Sequence, residues 1–251
     1  MALTQIQAAV RQGIPAAPVL ADAAYGSDSR LRNGITELGL EYVVGVQSSM
    51  SVWKPGQAPL PNKRAKKYGP DPLKGRSKEH RPVSAKEVAL SLPASAWTVV
   101  SWREGTQKKL RSRFAAVRLR PAHRDYLLPE PYPVEWLLIE WPNNEPEPIK
   151  YWLSTLPEQT PLKELVRIAK HRWIIERDYQ ELKQELGVGH YEGRGWRGFH
   201  HHATLCIAAY GFLVAERNRF SPSTRVGNVG LRVPNFSTTF IPRGAVTTRT
   251  S

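Results

Sequence analysis

Arg172-Trp-Ile-Ile-Glu176-Arg-Asp-Tyr-Gln-Glu-Leu-Lys183, followed a few residues later by His190-Tyr-Glu-Gly-Arg-Gly-Trp-Arg197, is the stretch on which the reading of this chain turns. At about 100° per residue, with Leu165 as origin, Arg172 falls near about 340°, Glu176 near about 20° and Lys183 near about 0°. An acid and two bases thus share one helical face. Leu165, Ile168, Ile175, Tyr179, Leu182 and Leu186 gather between about 260° and 360°, the stripe that a helix buries against a core. Thr160 and Pro161 suit an N-cap and first turn, and Gly187 suits a stop. The pattern therefore predicts one helix from 161 to 186, about 39 Å long. Spacing alone also fits a solvated face with one supporting ion pair.

The run from Arg172 to Lys183 resembles the R-x3-E-x6-K part of the Y-R-E-K signature of DDE transposases in the insertion-sequence-4-like superfamily. Glu181-Leu-Lys-Gln-Glu-Leu-Gly187 with His190-Tyr-Glu-Gly-Arg-Gly-Trp-Arg-Gly-Phe-His-His-His202 resembles, more narrowly, the 701-type branch. Val19-Leu-Ala-Asp22-Ala-Ala-Tyr25-Gly26 is similar to the region that carries the second catalytic aspartate in these enzymes. The resemblance runs from Leu3 to about Ser223. It implies DNA cleavage and strand transfer with Mg²⁺ or Mn²⁺, with Asp22 and Glu176 as catalytic metal ligands and Arg172 and Lys183 as phosphate contacts. The expectation is that the two carboxylates meet at one end of a small sheet.

This sequence departs from the pattern at two places. Ala169 stands where the signature has Tyr, three residues before Arg172. The family's first aspartate is expected on a strand well upstream of the second, yet the 21 residues before Asp22 contain no acid. Two-metal catalysis holds its ions about 3.5 to 4 Å apart between carboxylates, and Mg²⁺ prefers oxygen ligands in near-octahedral array. An N-terminally truncated chain with an incomplete triad, unable to complete strand transfer, is the expectation that follows.

The fold implied is α/β: a partial ribonuclease-H-like core, its first strands missing, interrupted by a mostly β insertion. Gln5–Gly13 reads as a helix, and Pro18–Ala21 as a buried strand presenting Asp22 at its end. Ser27–Leu38 reads as a second helix and Tyr42–Val46 as a second strand. Gln47–Pro93, with Lys63-Arg-Ala-Lys-Lys67 and Lys74-Gly-Arg-Ser-Lys78, reads as loop rather than core. Strands are predicted at 97–102, 114–120, 134–141 and 149–153. The predicted segments are 1–46 as first part of the core, 47–153 as basic loop and β-rich insertion, 154–220 as helical second part with the catalytic Glu, and 221–251 as a flexible tail. Two core strands without their neighbour are expected to leave an open edge.

Trp102 and the run Lys108-Lys-Leu-Arg-Ser-Arg113, with Lys108, Lys109 and Arg111, could place an indole and cations beside a transposon end. The same Trp102 also fits a packed strand residue. Arg194 and Arg197 are further candidate DNA contacts. Thirty-six Lys+Arg against 22 Asp+Glu give a net charge of +14, the footprint of polyanion binding, which equally suits an RNA-binding protein.

His200-His-His202 lacks metal-ligand spacing. Residues 203–214 form an apolar stretch too short for a bilayer and read as a buried helix, with Cys206 as packing. No secretory signal is visible, so a cytoplasmic, nucleoid-associated place is expected. Double-stranded DNA, as transposon ends and target, is the implied partner, with a homodimer on DNA and no membrane. Two functions stand: a DDE transposase, truncated and inactive, or a noncatalytic DNA-binding remnant that occupies transposon ends or pairs with an intact copy.

Overall fold

A computed structural model describes residues 1–60, 80–104, 109–123, 125 and 130–219. The basic runs at 63–67 and 74–78 and the tail at 221–251 lie outside the described residues. The chain divides into two compact units, Met1–Arg172 and Trp173–Ser251.

The first unit is mixed α/β, consistent with a ribonuclease-H-like fold. Its elements are α1 (Ala2–Arg11), β1 (Val19–Ala21), α2 (Ala23–Gly26), α3 (Ser29–Glu37), β2 (Tyr42–Val46), β3 (Ser51–Val52), β4 (Val83–Ser84), α4 (Ala85–Ser91), β5 (Thr98–Glu104), β6 (Lys109–Leu119), β7 (Glu135–Trp141), β8 (Lys150–Ser154) and α5 (Leu162–Lys170). Six strands form one sheet in the order β1-β2-β8-β7-β6-β5. Only β1 and β2 run parallel, pairing Val19 with Tyr42 and Ala21 with Val44. The remainder is an antiparallel meander, joined to β2 through Val43↔Ser154 and Val46↔Tyr151. The strands expected as an insertion extend the sheet of β1 and β2, so the core is more than a two-strand remnant: β2 is flanked on both sides, while β1 stands at the sheet's edge, where an open edge was expected.

Every residue of β2 is buried, as both faces of the sheet are covered. Alternation sorts its side chains. Tyr42, Val44 and Val46 join Leu31 and Ile35 of α3, Val88 and Ala89 of α4, and Leu137, Ile139 and Leu153. Val43 joins Phe114, Leu138, Trp152 and the α5 residues Leu165, Val166 and Ala169 on the opposite face.

The loop expected at 47–93 is corrected where it is described. It contributes β3, β4 and α4, and Val52, Trp53, Ala85 and Ala89 are fully buried. A capping box begins α4: Ser84 Oγ accepts from the Glu87 amide at 3.1 Å, and Glu87 reaches back to Ser84. Trp53 donates its indole N–H to Asp125 Oδ2 at 2.8 Å.

The single helix expected over 161–186 is also corrected. Helix α5 ends at Lys170, the His171 amide bonds to the Ile168 carbonyl in a tightened last turn, and α6 starts anew at Trp173 (Trp173–Gln184). The helical register carried from Leu165 through Arg172 is broken at 171–172. The physical reason lies in what α5 is bound to: its buried stripe and Lys170 are committed to the sheet, while the 3.6-residue period carries no information about a turn that leaves apolar spacing intact.

The second unit pairs α6 with α7 (Trp196–Arg219). Tyr210 donates to Asp178 Oδ1 at 2.8 Å, Arg217 meets Glu181 at 3.2 Å, and the Cys206 thiol donates to the Leu186 carbonyl at 3.1 Å. The buried helix expected at 203–214 is corrected too: Leu205, Ile207 and Phe212 are exposed, and Cys206 is buried.

Candidate functional site

Asp22 follows the last residue of β1 and caps α2, a role the sequence reading missed. Its backbone is extended (φ −83°, ψ −178°), and Oδ1 accepts the amides of Ala24 at 3.1 Å and Tyr25 at 3.3 Å. Capping by a carboxylate satisfies amides that a helix start leaves without intrahelical partners. The turn is pressed onto β2: a Cβ on Gly26 would lie 2.0 Å from the Gly45 carbonyl oxygen, and one on Gly45 would lie 3.0 Å from the Ala23 amide. Only glycines permit that approach.

A buried charged group holds the same turn from beneath. Arg32 Nη1 donates to the Gly26 carbonyl, and Arg32 is 2% exposed. Burial raises the Glu135 pKa from its ordinary value, against the lowering effects of the Tyr42 hydroxyl, Arg32 and Arg118. Burial likewise pushes the Tyr42 hydroxyl up, with Glu135 adding to it. A low-dielectric interior makes such groups costly unless each is paired. No sequence signal marked Arg32 or Glu135, because a charge in an amphipathic pattern reads as surface.

Arg172 closes the first unit. Its Nη1 stands 3.6 Å from Asp22 Oδ2, with the two side chains 42% and 44% exposed. The structure thus brings together two of the predicted site residues. At that separation and exposure the pair is electrostatic rather than a close hydrogen bond and contributes little to stability. Lys170, two residues earlier, is anchored firmly. Its ammonium lies 2.6 Å from Glu140 Oε2 and 4.3 Å from the Trp102 ring centre, with Trp152 at 5.4 Å and Phe114 at 5.6 Å. Burial lowers the Lys170 pKa, opposed by Glu140. Trp102 sits at a register slip of β5 and packs edge-on against Phe114 at 5.5 Å, the packed arrangement that the sequence also allowed.

Glu176 and Lys183 lie on α6 in the second unit, two turns apart and both exposed, so they share a face. The Lys183 ammonium lies 4.5 Å from the Tyr179 ring centre. Arg194, two residues before α7, and Arg197, in its first turn, are exposed. Arg111 is exposed on β6, Lys109 begins that strand, and Lys108 lies outside the described residues.

Carboxylate oxygen suits Mg²⁺ or Mn²⁺ in kind. The first unit falls short in number, since Asp22 commits one oxygen to capping and turns the other toward Arg172. Among the described residues no group of three or more His, Cys, Asp or Glu side chains forms a metal-binding cluster. The first unit alone therefore does not fit a two-ion centre. Among the described residues, no helix is long and apolar enough to cross a membrane.

Residues 1–109 match the model of a family described as DDE superfamily endonuclease. The matched segment contains β1, the Asp22 turn, α3 and β2. No curated protein matches the chain.

Proposed function

Taking the similarity of residues 1–109 to DDE superfamily endonucleases as premise, we propose that this chain is a DDE transposase-type nuclease acting on double-stranded DNA. The observation that carries the reading is Asp22, held at the end of the parallel strand by two amides, a glycine-permitted contact and a guanidinium. Asp22 and Glu176 are the carboxylates assigned to a divalent ion, Mg²⁺ or Mn²⁺. Such an ion would supply activation of an attacking oxygen and stabilisation of a leaving one. Arg172 and Lys183 are assigned to phosphates. The net charge of +14 favours the DNA backbone, and binding that releases counterions weakens steeply with salt. Transposon ends and target, engaged by a homodimer, are the finer form of the proposal.

The absence, among the described residues, of a cluster of three or more metal-ligating side chains around Asp22 favours a second reading, a noncatalytic DNA-binding chain that occupies transposon ends. An end-cleavage assay with Mg²⁺ or Mn²⁺ separates the two. Metal-dependent cleavage that disappears in Asp22→Ala supports the nuclease. Salt-sensitive binding without cleavage supports the binder, and absence of DNA binding at low salt contradicts both.

A further inference from the structure

Helix α6 has a charged inward face. Its half-buried positions are Trp173, Ile174, Arg177, Asp178, Glu181 and Leu182, spaced at the helical period, and the positions between them are exposed. Arg177, Asp178 and Glu181 are charged, where a helix ordinarily sets apolar side chains against its neighbour. Both acids have partners on α7: the Tyr210 hydroxyl donates to Asp178 Oδ1 at 2.8 Å, and Arg217 Nη1 donates to Glu181 Oε2 at 3.2 Å. Arg177 ties the stripe together along α6, with Nε 3.5 Å from Glu181 Oε1, Nη2 3.9 Å from Asp178 Oδ1 and its guanidinium 5.1 Å from the Trp173 ring centre. Burial and the bond to Asp178 raise the Tyr210 pKa, so the hydroxyl keeps the proton that it donates. Arg217 is 63% exposed and its ion pair contributes little, which leaves the Tyr210–Asp178 bond as the firmest tie between the two helices.

Apolar contact is non-directional and lets a helix roll, whereas a hydrogen bond survives only a narrow range of distance and angle. A bonded inward stripe therefore fixes the rotation of α6 about its own axis. Glu176 lies about 160° round the helix from Asp178, and Lys183 about 140°, so the face that carries both is opposite the one bonded to α7. At a radius of about 5–6 Å, a roll of about 10° carries a side chain by about 1 Å, a displacement that costs a reaction about 10²-fold.

We infer that Tyr210 and Asp178 form a positioning pair that fixes the roll of α6 and so aims Glu176. This rests on the assignment of Glu176 as a catalytic carboxylate and adds to it two residues that act through the helix and not on the substrate.

The test uses the full chain, with single-turnover cleavage of duplex DNA in Mn²⁺, DNA affinity and amide hydrogen exchange measured in parallel. Tyr210→Phe removes one hydroxyl and is expected to slow cleavage about 10- to 100-fold at saturating protein, while its Kd for DNA stays within about twofold of wild type. Exchange of the α6 amides is expected to rise about 5- to 15-fold, the worth of one hydrogen bond. Asp178→Ala should match Tyr210→Phe, and the double variant should be no slower than either single, since the two act as one contact. Asp178→Asn keeps an oxygen that accepts the hydroxyl and should recover most of the rate. Cleavage by Tyr210→Phe within about twofold of wild type overturns the inference even where exchange rises, because the bond then supports the helix without aiming Glu176. Losses that add in the double variant also overturn it. Should Asp178→Ala unfold, Tyr210→Phe and Asp178→Asn decide the matter. Cleavage lost in Glu176→Gln and kept in Tyr210→Phe overturns the pair alone, whereas absence of cleavage by wild type overturns the assignment of Glu176 and the pair with it.

Discussion

Replacing Lys170 by Met tests how firmly the end of α5, and with it Arg172, is fixed to the sheet. The ammonium lies 2.6 Å from Glu140 Oε2, with side chains 14% and 4% exposed, and three aromatic rings surround it. Methionine preserves the length of the stem and much of its packing. What remains is a carboxylate buried without its cation, a change that costs about 3–5 kcal/mol in comparable pairs. With a urea slope of about 2 kcal/mol per molar, the unfolding midpoint followed by tryptophan fluorescence is expected to fall by about 2 M. Adding Glu140→Leu removes the stranded charge and should restore stability to within about 1 kcal/mol of wild type. The pH dependence has a definite sign. Burial holds the folded Lys170 pKa below its unfolded value, so between the two the unfolded chain binds more protons and stability rises with pH. The stability difference between wild type and Lys170→Met should therefore grow as pH rises toward about 10.4. A loss under about 1 kcal/mol in Lys170→Met, or a double variant as unstable as the single, would refute the buried clamp.

Three further substitutions test the packing of the first unit. Trp53→Ala empties a fully buried position and is expected to cost about 3–5 kcal/mol, whereas Trp53→Phe mainly removes the indole donor to Asp125 and is expected to cost about 1–3 kcal/mol; equal losses in a urea titration would argue against the hydrogen bond. Gly26→Ala places a methyl 2.0 Å from backbone of β2 and should destabilise by about 1–3 kcal/mol or more through forced displacement; thermal melts superimposable on wild type would contradict the close packing beneath Asp22.

Much of this architecture was legible in the sequence. Tyr42–Val46 emerged with its predicted bounds because a continuous apolar run between polar turns has few alternatives. Asp22 at a strand end followed from a short apolar run stopping at an acid. The break at His171-Arg172 was invisible because a turn that preserves apolar spacing leaves the helical pattern unaltered. Helix α4 carried a signal that composition obscured: Ser84-Ala-Lys-Glu87 is a capping box set in a Pro- and Lys-rich stretch. Lys170 and Glu140 could not be recognised as a buried pair, since their meeting depends on β7 and α5 packing across 30 residues.

The central proposal, that Asp22 and Glu176 would be the carboxylates of a metal-dependent nuclease, is tested most directly by single-turnover cleavage of duplex DNA. The assay compares wild type, Asp22→Asn, Glu176→Gln and the double variant in Mn²⁺, with DNA affinity measured in parallel. Residues that act as one catalytic unit are non-additive. Each single variant should lose cleavage by about 10³-fold or more while binding DNA as before, and the double variant should be no slower than either. Cleavage by wild type that persists in Asp22→Asn or Glu176→Gln would contradict the account.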